Sequence, residues 1–260
     1  MKLFELIDPQ IRQKNIYASP ARLTHAQKSI KGSDNLQYLG KGSYGMAAQR
    51  KKHPNSVIKT GVVGNAETDG YLRYIKTVGK LASSNPYFPR VYDIRIYNNT
   101  RDDDDKDMYV AEIEKLTKAD AVEPEVMLAI GNRAFHDFES EVNADLRDHF
   151  GHRQGKASPE GRKSRPMFKL DTIPQGPLLK TLDKSFTVTS ALVRLLQQSL
   201  QGDMTRVKDP LLKYALHAIK RLSQDPIFAK EKGHIDMHGS NLMVRYGPGG
   251  GQLVITDPLI

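Results

Sequence analysis

Cysteine and tryptophan are both absent from the 260 residues. Without cysteine there is no disulfide, no thiolate metal site and no cysteine nucleophile; a metal would have to sit on oxygen or imidazole, and nothing points to an oxidising compartment. Long apolar runs are missing too. The opening Met1-Lys2-Leu3-Phe4-Glu5-Leu6-Ile7-Asp8-Pro9 places acid and proline where a secretory signal needs a continuous apolar stretch, and no later segment approaches the length of a membrane span. A soluble, cytoplasmic protein with no membrane partner is expected. Negative charge is in shorter supply than positive: 39 Lys and Arg face 30 Asp and Glu, a net charge of +9. Such a balance attracts nucleic acid, nucleoprotein or acidic proteins at long range and says nothing about fold. The nearest thing to a basic tract, residues 153–169, interleaves Arg162, Lys163 and Arg165 with glycine, serine and proline. It reads first as a solvated loop, and nucleic acid stays open as a partner.

What is present is concentrated near the end of the chain. Gly233-His234-Ile235-Asp236-Met237-His238-Gly239-Ser240-Asn241 is followed by the short apolar strand Leu242-Met243-Val244, a glycine turn, a second strand and Asp257. His-x-Asp-x-x-x-x-Asn, strand, turn, strand, Asp is an order of parts suited to phosphoryl transfer, which needs positioning and charge neutralisation more than covalent chemistry. In it Asp236 would accept the proton of an attacking hydroxyl, while Asn241 and Asp257 would hold Mg2+ against nucleotide phosphates. Asp, His and Asn also gather in ordinary loops, where they satisfy backbone groups. A second constellation upstream decides between the two.

That constellation begins with the apolar strand Leu36-Gln37-Tyr38-Leu39 and the turn Gly40-Lys41-Gly42-Ser43-Tyr44-Gly45. Gly-x-Gly-x-x-Gly serves dinucleotide folds when a helix follows, and ATP-phosphate loops when a strand follows. Here the small residues Ala47 and Ala48 return, residues 49–56 are polar with a turn at Pro54-Asn55, and Val57-Ile58-Lys59 reads as a β-branched strand ending in lysine. No helix fits, so Gly40, Gly42, Ser43 and Gly45 are assigned to phosphate contact and Lys59 to the α and β phosphates. Lys59 needs a carboxylate from the next helix; Glu67 is the candidate, ahead of Asp69.

Residues 1–35 read as an extension with a helix over 20–30 and no assignable chemistry. Residues 36–113 would form a small β-rich unit, in which residues 90–97 and 108–113 pair as a hairpin around a solvated, aspartate-rich tip. Residues 114–260 would form a helical unit carrying the basic loop 151–169 and the catalytic stretch 233–257. Glu114, Lys115 and Leu116 fall between the two, where Glu114 and Leu116 are placed to read an adenine edge. Helical spacing runs over residues 121–150, 187–200 and 210–223; in the last, Leu211, Leu212, Ala215, Leu216, Ile219 and Leu222 mark a buried face expected to lie under the catalytic loop.

Leu39-Gly40, Gly42, Ala47-Ala48 and Val57-Ile58-Lys59, taken with Asp236-Met237-His238, Asn241, Met243 and Ile255-Thr256-Asp257-Pro258, resemble the serine/threonine protein kinases of the T-seven-group short-tailed bacteriophages. The likeness covers residues 36–260 by order of parts. It implies an α+β, two-lobed protein-kinase-like fold with a truncated helical lobe, ATP and Mg2+ as cofactors, and protein hydroxyls as acceptors. It also implies host proteins of transcription or translation as targets, in the host cytoplasm. By position it assigns Lys59 to the phosphates, Asp236 to the base and Asn241 and Asp257 to the metal. Three features depart from ordinary protein kinases. His238 stands where serine/threonine kinases place a lysine, as in aminoglycoside and choline kinases, so a small-molecule kinase is the alternative. Asp257-Pro258-Leu259 replaces Asp-Phe-Gly, and no activation segment follows before Ile260, so a substrate would have to be found by other surfaces. A kinase fold used only to bind ATP or a host factor is the third possibility. Ser158 and Ser164, in the basic loop, are the expected autophosphorylation sites.

Overall fold

The computed structural model describes residues 35–41, 45–63, 68–97, 107–154, 177–230 and 233–260. The extension up to residue 34 with its expected helix, the aspartate-rich tip, and Ser158 and Ser164 lie outside the described residues.

The fold is mixed α+β. Five antiparallel strands, β1 (Leu36–Lys41), β2 (Gly45–Arg50), β3 (Ser56–Val63), β4 (Val91–Tyr97) and β5 (Asp107–Glu114), form a sheet of order β1-β2-β3-β5-β4. Val, Ile and Thr fill β3, and its alternation sorts side chains to two faces. Ile58 joins Leu36, Met46, Ala48 and Val110 in a small cluster on one face. Lys59 lies on the other, directly opposite Ala47 of β2 and Ala111 of β5. The expected hairpin of residues 90–97 and 108–113 is the β4–β5 pair.

Between β3 and β4 runs helix α1 (Gly70–Gly79), capped by Asp69, whose Oδ1 accepts from Leu72 N at 2.8 Å. Its Tyr71, Leu72, Tyr74, Ile75 and Val78 recur at helical spacing and are all buried in the main core. Gly70 is required by close approach: a Cβ there would stand 2.8 Å from the carbonyl carbon and oxygen of Leu259.

The rest is helical, with one small sheet. After α2 (Pro124–Ala134), α3 (Phe138–Gln154), α4 (Pro177–Gln201), α5 (Pro210–Ser223) and the short α6 (Pro226–Lys230), strands β7 (Leu242–Gly247) and β8 (Gly250–Ile255) form a hairpin. Its third strand is β6 (Thr117–Lys118), so the segment that leaves β5 pairs at once with the strand after residues 233–241. The continuous helical spacing over residues 121–150 is broken in two. Phe135 bridges to Val207, His136 N donates to Arg206 O at 2.9 Å, and Asp137 turns with φ 55° before α3 starts. α3 then continues to Gln154, into the stretch expected as loop. In α5, Leu212, Ala215, Leu216 and Ile219 are buried as expected, whereas Leu211 is 43% exposed because it falls one residue outside that stripe.

The five-stranded sheet is tied to the helical part by a few long-range polar joints. Tyr74 Oη donates to Ile255 O at 2.5 Å, Ile255 N donates to Tyr87 O at 2.9 Å, and Asn85 Nδ2 donates to Leu211 O at 2.8 Å. The joint with the most partners is the Arg245 guanidinium. It donates to both oxygens of Glu114 and to the carbonyls of Pro86 and Phe88, at 2.8 and 2.9 Å for the latter two. The Glu114 side chain is 7% exposed and that of Arg245 17%. Removing one member of so buried a pair strands the other's charge, a loss of about 3–5 kcal/mol. Arg245→Met is therefore expected to destabilise the fold by about that much in urea unfolding, and Glu114→Leu with Arg245→Met by less than the sum of the single changes. Additive losses would show that the two charges do not act as a pair.

Candidate functional site

Residues 233–241 are held in place by pairing with the residues after β8. Asp236 N donates to Pro258 O at 2.8 Å, His234 N to Ile260 O at 2.9 Å, and Ile260 N returns to His234 O at 3.1 Å. Thr256 completes the clamp, its N and Oγ1 donating to Asn241 O at 2.9 and 3.1 Å. Asp236, Asn241 and Asp257 are thus fixed relative to each other by backbone. Asn241, 8% exposed, donates from Nδ2 to Asp236 O at 2.7 Å. Its other side-chain atom, Oδ1, makes no hydrogen bond among the described residues and is an oxygen of the kind a hard cation takes.

A side chain of α4 bonds directly to this loop. Gln197 Nε2 donates to Met237 O at 2.7 Å. Helix α5 turns its buried face toward α4 and α1.

Lys59 reaches the same place from the sheet. Its Nζ lies 2.8 Å from Asp257 Oδ2 and 3.5 Å from the centroid of the Tyr71 ring. Glu67, Gly42 and Ser43 lie outside the described residues. Asp69, the second choice for the helix carboxylate, lines the cleft while capping α1.

Every described candidate position except Glu114 lines one cleft of about 880 Å3. Its apolar lining includes Leu39, Ala47, Val57, Leu116 and Met243; its polar lining includes Lys59, Asp69, Asp236, Ser240, Asn241 and Asp257. Gly40 on β1 and Gly45 on β2 also line it. Glu114 is not among the lining residues; its carboxylate pairs with Arg245 and its backbone N donates to Arg90 O at 2.9 Å. Leu116 is left without a hydrogen-bond partner among the described residues, so its backbone groups remain free to pair with a ligand edge.

Two contacts were not legible from motifs. His238 Nε2 is 3.1 Å from Asp236 Oδ2, and Ser240 Oγ is 2.6 Å from His238 Nδ1. A carboxylate oxygen only accepts, so the contact with Asp236 takes a proton on Nε2; Asn241 Nδ2, itself a donor, lies 3.1 Å from the same Nε2 and competes for it. The other is Tyr71, which the sequence shows only as a member of an amphipathic stripe.

No protein-family model matches the chain, and none of the curated proteins compared with it matches in sequence.

Burial pushes the Asp69 carboxyl above its ordinary value, and the Asp257 carboxylate acts in the same direction; the bond from Leu72 N and the charge of Lys59 oppose them. A carboxyl so raised binds its proton more tightly in the folded chain, so stability falls as pH rises from the ordinary value through the raised one. Asn caps a helix about as well as Asp. Asp69→Asn is expected to be at least as stable as the parent at neutral pH, with the difference closing as pH falls through that window. Thermal unfolding of both proteins across pH checks this, and a parent more stable than the variant at neutral pH would refute it.

Proposed function

We propose that the chain is an ATP- and Mg2+-dependent phosphotransferase with a two-lobed, protein-kinase-like fold, and specifically a viral serine/threonine protein kinase acting on host proteins. The observation that carries this is the meeting of Lys59, Asp236, Asn241 and Asp257 around one cleft, although Lys59 and Asp257 are separated by 198 positions. The apolar lining suits a planar base, and Leu116 offers backbone groups for its edge.

The donor set fits Mg2+. That ion takes oxygen ligands, commonly one or two from protein with the remainder from phosphate and water, and Asp257 with Asn241 Oδ1 supplies them. When bound, Mg2+-ATP would supply the transferable phosphoryl group and neutralise its developing charge. Lys59 would exchange its contact with Asp257 for the nucleotide phosphates. Asp236 would accept the acceptor hydroxyl's proton at one carboxylate oxygen, while His238 fixes the other. The α1 carboxylate role is Asp69's or that of Glu67.

A small-molecule acceptor is the second reading, favoured by one observation: the residue two after Asp236 is an imidazole in direct contact with the base, where protein kinases place lysine. The two are separated by giving the purified chain labelled ATP and Mg2+ with a host-cell lysate or with a panel of amino sugars and amino alcohols. Label is expected in lysate proteins, components of transcription and translation first among them.

Asp236→Ala and Asp257→Ala are each expected to reduce transfer by about 10²–10⁴-fold, the range associated with a positioned base or metal ligand. ATP binding without turnover in the parent would leave a nucleotide-binding module, and variants as active as the parent would remove Asp236 and Asp257 from the chemistry.

A further inference from the structure

Tyr71 has no part in the reaction as outlined, yet it is the side chain on which the Lys59 ammonium rests. Nζ stands 3.5 Å from the ring centroid, close enough for direct contact with the π face, whose negative potential attracts a cation. Three neighbours hold the ring in that attitude. Asp69 caps the first turn of α1, Gly70 presses that turn against the backbone of Leu259, and the Tyr109 ring lies tilted at 42° with centroids 5.5 Å apart. Tyr109 is itself seated over Gly61, where a Cβ would come within 2.7 Å of its ring, so the strand opposite has been cleared for it.

The hydroxyl of Tyr71 contributes nothing of this kind. It is buried and has no hydrogen-bond partner among the described residues. Burial, followed by the proximity of Tyr109, Asp257 and Asp69, pushes the phenol well above its ordinary value and keeps the ring neutral. What the residue presents to the cleft is the face of the ring.

We infer that Tyr71 is a positioning residue for nucleotide binding: its ring face keeps the Lys59 ammonium aimed into the cleft when Asp257 exchanges that lysine for a metal ion. Lys59 has two described contacts, Asp257 at 2.8 Å and the ring. In the proposed function, on which this inference rests, Asp257 turns to Mg2+ and gives up its ion pair with Lys59. A long lysine freed of its counter-charge regains rotamer freedom, and the ring limits that freedom without competing with phosphate for the ammonium protons.

The test is a double-mutant cycle on Mg2+-ATP binding, read by calorimetric or fluorescence titration of the whole chain. Tyr71→Phe keeps the ring and is expected to bind within about twofold of the parent. Tyr71→Leu keeps apolar bulk without a π face and is expected to bind about 5- to 30-fold more weakly, the range that a partly desolvated cation–π contact commands. In a Lys59→Met background the same Tyr71→Leu change is expected to have no further effect, since there is no ammonium to position. An equal loss in both backgrounds, or no loss in either, overturns the inference and reduces Tyr71 to core packing while leaving the phosphotransferase assignment intact. If the parent binds no Mg2+-ATP at all, the assignment itself falls. Should Tyr71→Leu fail to fold, the parent alone decides. Lys59 ε-methylene protons over a ring face are shifted upfield in proton NMR and return to ordinary positions in Tyr71→Met, and unshifted signals in the parent refute the contact.

Discussion

A lysine on β3 and an aspartate 198 residues later stand 2.8 Å apart, and the organisation of the cleft depends on that contact. Neither side chain could be held there by its own segment. Closing a chain over such a separation carries an entropic penalty that grows slowly with length, about 0.6 kcal/mol per doubling. It is offset by burying one continuous core that runs from Tyr71 and Val78 on α1, through Leu192 and Leu196 on α4, to Leu253 and Ile255 on β8. The charged pair sits at the edge of this core, with side chains about a third exposed, so water and ions can reach it. A pair in that setting is worth little to stability and can be exchanged for other partners. That suits a site whose groups must serve a ligand.

The more deeply buried ion pair does the opposite work. Glu114 and Arg245 are closed off from solvent, and the guanidinium also satisfies the carbonyls of Pro86 and Phe88. It fastens the end of β5 to β7 beside the point where the chain passes from one sheet to the other. Two kinds of acidic residue are thus separated by burial: Glu114 is committed to architecture, whereas Asp236 and Asp257 keep oxygens turned to the cleft. Helix α1 links the two regions, because its first turn touches both Lys59, through Tyr71, and the segment after Asp257, through Gly70.

Much of this was legible in the residues. β1, β2 and the β4–β5 hairpin follow from apolar runs, alternation and turn residues, and the buried stripe of α5 from its spacing. The motif residues Lys59, Asp236, Asn241 and Asp257 were identified by type and order, and all of them line one cleft. Other features were not legible. Residues 121–150 carry helical spacing throughout, and only the 203–208 segment laid across Phe135 and His136 breaks them into two helices. The pairing of the Glu114 carboxylate with Arg245 spans 131 positions and has no local sign in the sequence.

What the sequence by itself determined is therefore local and chemical. The absence of cysteine restricts the available chemistry, alternation and helical spacing mark the strands and helices, and the glycine turn, Lys59 and the Asp236–Asn241 spacing single out the candidate groups. Only the tertiary structure decided which of those groups meet and what holds them. It set Gln197 of α4 against the loop and the Tyr71 ring under Lys59, and brought His238 and Ser240 into a chain of contacts with Asp236. The physical reason is range. Backbone preferences and side-chain periodicity act over a few residues, whereas a cleft is the space left when distant segments pack, and its geometry is set by the packing of all of them together.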